Sequence, residues 1–237
     1  AALYTGRFAT RFGYEFTPTP KLFGRLLTRT QENNVRQPIY HTSRESSIPM
    51  MKDMVVPVDE VMLAANLSTQ FQYNTYMIGK WHLGETKESI PTARGYDESL
   101  SFLMGASKYL LNHHPNVINA EIKNAPIDDF LRWNLPFTAS FNNGPKFQPP
   151  SYMTDFLSDE AVKLIHTHAA TPNANPFFIT MAYNAPHNPL QALDSDYYDP
   201  ELAHISDHNE RVYAAMIKAL DRGVGKLLES LRSTNQW

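Results

Sequence analysis

Three side chains stand where this sequence could do chemistry: Lys80, His82 and His187. Thr75 to Ile78 is a short apolar run that reads as a strand entering a core, and it breaks at Gly79. Lys80 and His82 follow two apart, with Trp81 between them and Gly84 just after. Side chains alternate along an extended chain, so a continued strand puts Lys80 and His82 on one side. A cation and an imidazole there suit an anionic ligand. The same pattern also describes a strand end with a solvated Lys and a hydrogen-bonded His. Pro176 to Tyr183 reads as a second buried strand, and it runs into Asn184-Ala185-Pro186-His187. In open α/β sheets, ligands bind outside the carboxyl ends of the strands. Two strands thus deliver polar groups at the end where a site belongs, which points to an anion-binding hydrolase site.

The remaining histidines and carboxylates make poorer sites. His166 and His168 are two apart on an expected helix, face different directions, and read as solvated surface. His204 and His208 have the four-residue spacing of helical zinc ligands, but Pro200 precedes them and no third ligand is apparent. His113-His114 reads as part of a solvated loop. Asp128-Asp129 precedes an apolar run and reads as a helix start. Asp194, Asp196 and Asp199 lack the Gly and closing Glu of a calcium loop and read as a solvated turn. Asn66-Leu67-Ser68 matches a glycosylation acceptor but falls on an expected helix.

Helices and strands alternate around these residues. Residues 1 to 13 read as a short helix closing on Thr5-Gly6-Arg7, then a basic turn. Residues 14 to 56 read as loops punctuated by Pro18, Pro20, Pro38 and Pro49, with a short helix near Leu22 to Leu27. Pro57-Val58-Asp59-Glu60 predicts a helix start, with the helix ending near Phe71. Ile90 to Asp97 reads as a turn-rich surface segment, and 105–150 as an irregular stretch on the rim of a site. Asp155 to His168 predicts a helix with Ser158 as N-cap. Apolar residues from Val212 to Leu231 repeat at three and four, which predicts an amphipathic helix over about 209–232. Gly223 and Gly225 inside it suggest close packing. Helix-then-strand order, twice, gives an α/β fold: a largely parallel sheet with helices on both faces.

Bulk properties bound the function. A hydrophobic content of 42% in 237 residues supports a real core. A net charge of −3 implies neither nucleic acid nor an anionic membrane as partner. No apolar run reaches the roughly 18 residues of a membrane span. There is no cysteine, so thiol chemistry within these residues is excluded.

Tyr76-Met77-Ile78-Gly79-Lys80-Trp81-His82-Leu83-Gly84 resembles the second signature of the type I sulfatases, members of the alkaline phosphatase superfamily. Ala1 to Arg7 resembles the stretch that follows the family's Cys/Ser-x-Pro-x-Arg motif. Pro91 to Asp97 resembles its Pro-x-x-Arg-Gly-Phe-Asp turn, and His187 to Gln191 its His-x-Pro-Leu-Gln segment. Tyr213 to Leu231 resembles the helix before its distal metal motif. The flavour is that of arylsulfatases and N-acetylgalactosamine-4-sulfatases. The resemblance implies an alkaline-phosphatase-like fold and hydrolysis of a sulfate ester, on an aryl sulfate or a sulfated polysaccharide. It implies that Lys80 contacts a sulfate oxygen and the nucleophile, His82 acts as base beside a hydrated formylglycine, and His187 binds sulfate near the leaving oxygen.

Residues 1–237 then form part of one catalytic domain, cut at both ends and inactive alone. The formylglycine is expected upstream of Ala1, and the ligands of a Ca2+ ion outside this chain. Export of the whole enzyme is the family habit. Two rivals remain: a phosphonate or phosphodiester hydrolase of the same superfamily, and a non-catalytic glycan- or anion-binding homologue. Gln72 stands where the family often has a left-handed Gly.

Overall fold

The computed structural model describes residues 1–27, 39–123 and 125–237. Helix α1 (Ala2–Thr5) closes on Gly6 in the left-handed conformation, and α2 (Lys21–Leu27) follows a loop. Helix α3 (Leu63–Phe71) leads into strand β1 (Asn74–Lys80), and β2 (Glu98–Phe102) follows. Then come β3 (Val117–Asn119), α4 (Pro126–Asn134) and β4 (Ser140–Phe141). Helix α5 (Met153–Ala169) leads into β5 (Phe177–Ala182), and β6 (Gln191–Leu193), α6 (Asp194–Tyr197) and α7 (His208–Ser233) complete the chain.

Four strands form the main sheet in the order β4-β2-β1-β5. β1 pairs in parallel with β2 and β5, and β4 is antiparallel to β2. β3 and β6 form a separate antiparallel pair. Alternation along β1 divides the core. Ile78 packs with Phe156 and Leu157 of α5 and Val212 and Met216 of α7. Its neighbour Met77 packs with Ala64 of α3, Trp81 and Tyr96. Helices therefore cover both faces, and β1 is the buried middle strand that parallel pairing requires.

Several boundaries differ from expectation for identifiable reasons. Helix α3 starts at Leu63, not Pro57. Residues 57–60 form a turn, with the Glu60 N–H donating to Pro57 O at 3.1 Å. The Glu60 carboxylate takes Arg7 Nη1 at 2.5 and 2.7 Å, and the buried Arg94 donates to the Pro57 and Glu60 carbonyls. These contacts are worth more than a weak helix start. The Pro91–Asp97 segment is accordingly not surface: Pro91, Arg94 and Tyr96 are buried. Ser158 is no N-cap, because α5 begins earlier, at Met153; its hydroxyl donates to Thr154 O at 2.8 Å. The 105–150 stretch holds β3, α4 and β4, so it is less irregular than its composition suggests. Asp128 and Asp129 do lie in the first turn of α4. Pro38 lies outside the described residues.

Two other readings divide. A Cβ on Gly223 would sit 2.4 Å from Ser158 Oγ, whereas one on Gly225 meets nothing within 4 Å. Only Gly223 marks a close approach of α7 to α5. Gln72 caps α3 with φ 58°, the strained conformation expected of it.

Candidate active site

The site begins where β1 runs out of partners. Gly79 pairs with Ala182 of β5, and Lys80 with Phe102 of β2. Beyond the strand the Trp81 N–H still donates to Phe102 O and the His82 N–H to Leu103 O, both at 3.1 Å. His82 itself has φ 55°, in the left-handed region. Lys80 and His82 are therefore not juxtaposed by strand alternation, as the spacing suggested. They meet because the chain turns, and both line a cavity of about 330 Å³ with Ala1, Tyr14 and Pro18. Trp81 anchors the turn from beneath. Its indole N–H donates to Ser89 O at 2.8 Å, and its ring packs edge-on against Tyr4 and Tyr96.

His82 is held on three sides. Tyr14 Oη donates to its carbonyl at 2.9 Å, and Pro18 O lies 2.9 Å from Nε2. A Cβ on Gly105 would lie 2.5 Å from the ring, so only glycine lets that loop pack on the imidazole. Burial pushes the His82 pKa below its usual value; the Pro18 carbonyl opposes this, while Lys80 and His187 lower it further. A carbonyl can only accept, so Nε2 carries the proton and neutral His82 keeps its lone pair on Nδ1.

His187 does not line the cavity of Lys80; it meets His82 in a neighbouring one. It lines a larger cavity of about 420 Å³ shared with His82 and Asn188, walled by apolar groups such as Phe23, Met104, Phe130 and Leu135. His187 Nδ1 lies 2.7 Å from Asn188 O, so Nδ1 is the protonated nitrogen, and Nε2 has no hydrogen-bond partner among the described residues. Burial lowers its pKa, the Asn188 carbonyl opposes this, and Lys80 lowers it further. Lys80 is half-buried, which lowers its pKa as well, and its ammonium has no ion pair or hydrogen bond among the described residues.

Sequence reasoning missed the groups that hold His187. Tyr109, with no exposure, donates from Oη to His187 O at 3.0 Å. Its own N–H donates to the buried Gln191 amide oxygen at 2.9 Å, and Gln191 Nε2 donates to Asn119 Oδ1 at 2.9 Å. The His187 N–H donates to Asn184 O at 2.9 Å, and Asn184 Nδ2 to Ser107 O at 2.6 Å. No spacing could have flagged Tyr109, which reads as an ordinary core aromatic. Tyr109→Phe keeps the ring and removes one hydrogen bond to the His187 turn. It is expected to lower kcat about tenfold with KM within threefold, against a stability loss of about 1 kcal/mol. Steady-state kinetics beside a thermal melt check this; unchanged kcat sinks it.

The other histidines and the Asp group do not join the site. His166 is exposed as expected, but His168 is buried. It is not solvated surface: its Nε2 sits 2.7 Å from Asn175 O and its ring packs edge-on to Phe177. His208 bridges Tyr197 Oη at 2.9 Å and Asn119 O at 3.0 Å. His114 accepts from the Asn116 N–H at 3.2 Å, and His113 lies against Trp133. The Asp194–Asp199 group is not a solvated turn throughout, because Asp196 is buried against Arg222, which also holds Asp155 of α5. Among the described residues no three His, Cys, Asp or Glu could hold a metal ion, and no carboxylate lines either cavity. The described residues do not fit a calcium site.

The family model named Sulfatase matches residues 12–237. The chain belongs to the sulfatase family. Arylsulfatase J of Mus musculus is 28% identical over 209 residues, covering 86% of this sulfatase chain and 31% of the relative. The arylsulfatase of Klebsiella aerogenes is 27% identical over 225 residues, covering 75% of this chain and 45% of its own. The crystal structure of Ps i-CgsB in complex with k-i-k-neocarrahexaose superposes with a TM-score of 0.70 at 31% identity, over all of this chain and 44% of that one. The sulfatase chain thus spans less than half the length of each, and its sheet is of the α/β alkaline-phosphatase-like kind.

Proposed function

We propose that the full-length protein hydrolyses a sulfate ester at the Lys80–His82–His187 site. The observation that supports this most is that Lys80 and His82, at the carboxyl end of β1, line one cavity while His82 and His187, past the end of β5, line the next, with the Lys80 ammonium unpartnered among the described residues. Sulfate ester cleavage builds negative charge on the sulfuryl oxygens and on the bridging oxygen, and pre-placed cations stabilise it. In this reading Lys80 binds a sulfate oxygen and the nucleophile. His82, neutral with Nδ1 unprotonated, is in the form a general base requires. His187 binds sulfate and delivers a proton to the leaving oxygen from Nε2, which requires the imidazolium.

By family resemblance the nucleophile is a formylglycine preceding Ala1, and a calcium ion is held by residues outside 1–237. Residues 105–150, which supply Gly105, Ala106 and helix α4 to the larger cavity, line the substrate site. The bound carbohydrate of Ps i-CgsB favours a sulfated carbohydrate, and the apolar cavity walls accept an aryl sulfate. Export is part of the same proposal; no helix among the described residues is long and apolar enough to cross a membrane.

The pH profile tests these roles. Protonated His187 is lost as pH rises through its pKa, which lies below the usual value near 6.5. For the full-length protein, kcat/KM toward p-nitrophenyl sulfate is therefore expected to fall on the alkaline side, starting below about pH 6.5. In His187→Ala that limb disappears. A profile in which wild type and His187→Ala share the same alkaline limb removes His187 as the acid. Faster turnover of a phosphodiester than of any sulfate ester would hand the site to the rival hydrolase.

A further inference from the structure

A second recess, of about 130 Å³, opens beside the histidine cavity and shares Met104 and Ala106 with it. It lies where β2 ends at Phe102, at the same edge of the sheet from which Lys80 emerges. Its character is different. It too has apolar walls, among them Phe102, Leu103, Pro136 and Ala139, but it adds Glu85, Ser101, Thr138, Ser140, Asn143 and Lys146.

Four of these groups are unmatched among the described residues. Ser101 Oγ and Asn143 Oδ1 are buried without a hydrogen-bond partner among the described residues. Each such group costs about 1–3 kcal/mol, and folded proteins keep few of them. Glu85 is half-buried, yet forms no ion pair among the described residues, and Lys146 at the rim forms none either.

We propose that this recess binds hydroxyl groups of a sugar unit adjoining the one whose sulfate is cleaved. The inference rests on the sulfatase reading of Lys80, His82 and His187. A carboxylate and an amide oxygen accept from hydroxyls, the Ser101 hydroxyl can do either, and the Lys146 ammonium donates. Such a mixed set matches the alternating donors and acceptors of a polyol. An anion would meet Glu85, and an apolar group would leave the buried oxygens unmatched. The volume equals that of about four waters, room for the hydroxyl-bearing edge of one ring. The two cavities then divide the work: the histidine cavity takes the group bearing the sulfate, and the recess reads the neighbouring unit.

The test compares two substrates in the full-length protein. p-Nitrophenyl sulfate has no second unit to reach the recess, whereas a sulfated galactan hexasaccharide has. Glu85→Gln and Ser101→Ala are expected to raise KM for the hexasaccharide about tenfold and leave kcat/KM for p-nitrophenyl sulfate within twofold. Ser101→Ala breaks no hydrogen bond of its Oγ within the described residues, so it is not expected to unfold the protein. Unchanged hexasaccharide kinetics mean that the recess holds water only and overturn the proposal. A parallel loss on both substrates marks a structural role and overturns it equally. If Lys80→Ala matches wild type on both substrates, it is the sulfatase reading that fails. The recess is then judged by calorimetric binding of the hexasaccharide, where equal affinity in wild type and Glu85→Gln refutes it.

Discussion

Lys80→Ala is expected to lower kcat/KM of the full-length protein toward a sulfate ester by about 10³-fold, the scale of losing a principal stabiliser of transition-state charge. Among the described residues Lys80 is the only Lys, Arg, Asp or Glu lining its cavity, where burial lowers the His82 pKa. Partial burial keeps its field from being screened as a surface charge would be. Because the ammonium has no protein partner among the described residues, its removal breaks no ion pair and stability should change little. The loss should therefore appear in catalysis and in weaker inhibition by inorganic sulfate, not in the melting temperature. Lys80→Arg keeps the charge but replaces a compact ammonium with a wider planar fork, and should recover only part of the rate. Kinetics within threefold of wild type for Lys80→Ala would remove Lys80 from the site.

The strands and long helices were legible because local pattern and tertiary packing agree there. The apolar runs at Thr75–Ile78 and Pro176–Tyr183 became β1 and β5, and the three-and-four repeat after Val212 became α7. Expectation failed where a distant partner outweighs local preference. Pro57–Glu60 carries good helix-start chemistry, but Arg7 and Arg94 claim its carboxylate and carbonyls. His168 and Asp196 look like surface residues until Asn175 and Arg222 are brought to them. The site shows the same division. That Lys80, His82 and His187 stand at or just past strand ends could be read from the sequence. Pro18, which fixes the His82 tautomer from 64 residues away, could not. Nor could Tyr109, 78 residues from the carbonyl it holds. A hydrogen bond to a backbone carbonyl leaves no residue-type signature at the accepting end.

Gly79→Val should be the most destabilising single change near the site. Gly79 has φ 107°, which side chains other than hydrogen rarely tolerate, and a Cβ there would lie 2.0 Å from Ala182 O and 2.7 Å from Ala182 C. Both obstacles are backbone atoms of the paired strand, so no side-chain rotation relieves the clash. Either β5 moves away from β1 or Gly79 changes conformation, and both break the ladder at its last rung. Overpacking of about 1–3 kcal/mol and conformational strain of about 1–2 kcal/mol together predict a loss of about 2–5 kcal/mol. For a domain of this size the melting temperature should fall on the order of ten degrees. Gly225→Ala is the contrasting substitution: it sits in helix α7 with nothing within 4 Å of its Cβ, and should gain about 0.5–1 kcal/mol. Thermal unfolding of both variants in the full-length protein checks the pair, and a Gly79→Val melt within two degrees of wild type is incompatible with this packing. Any molecules that stay folded should still be inactive. Lys80 follows Gly79 directly, and the segment leading to His187 leaves β5 just past Ala182, so one displaced rung separates the cation from the imidazole it must act with.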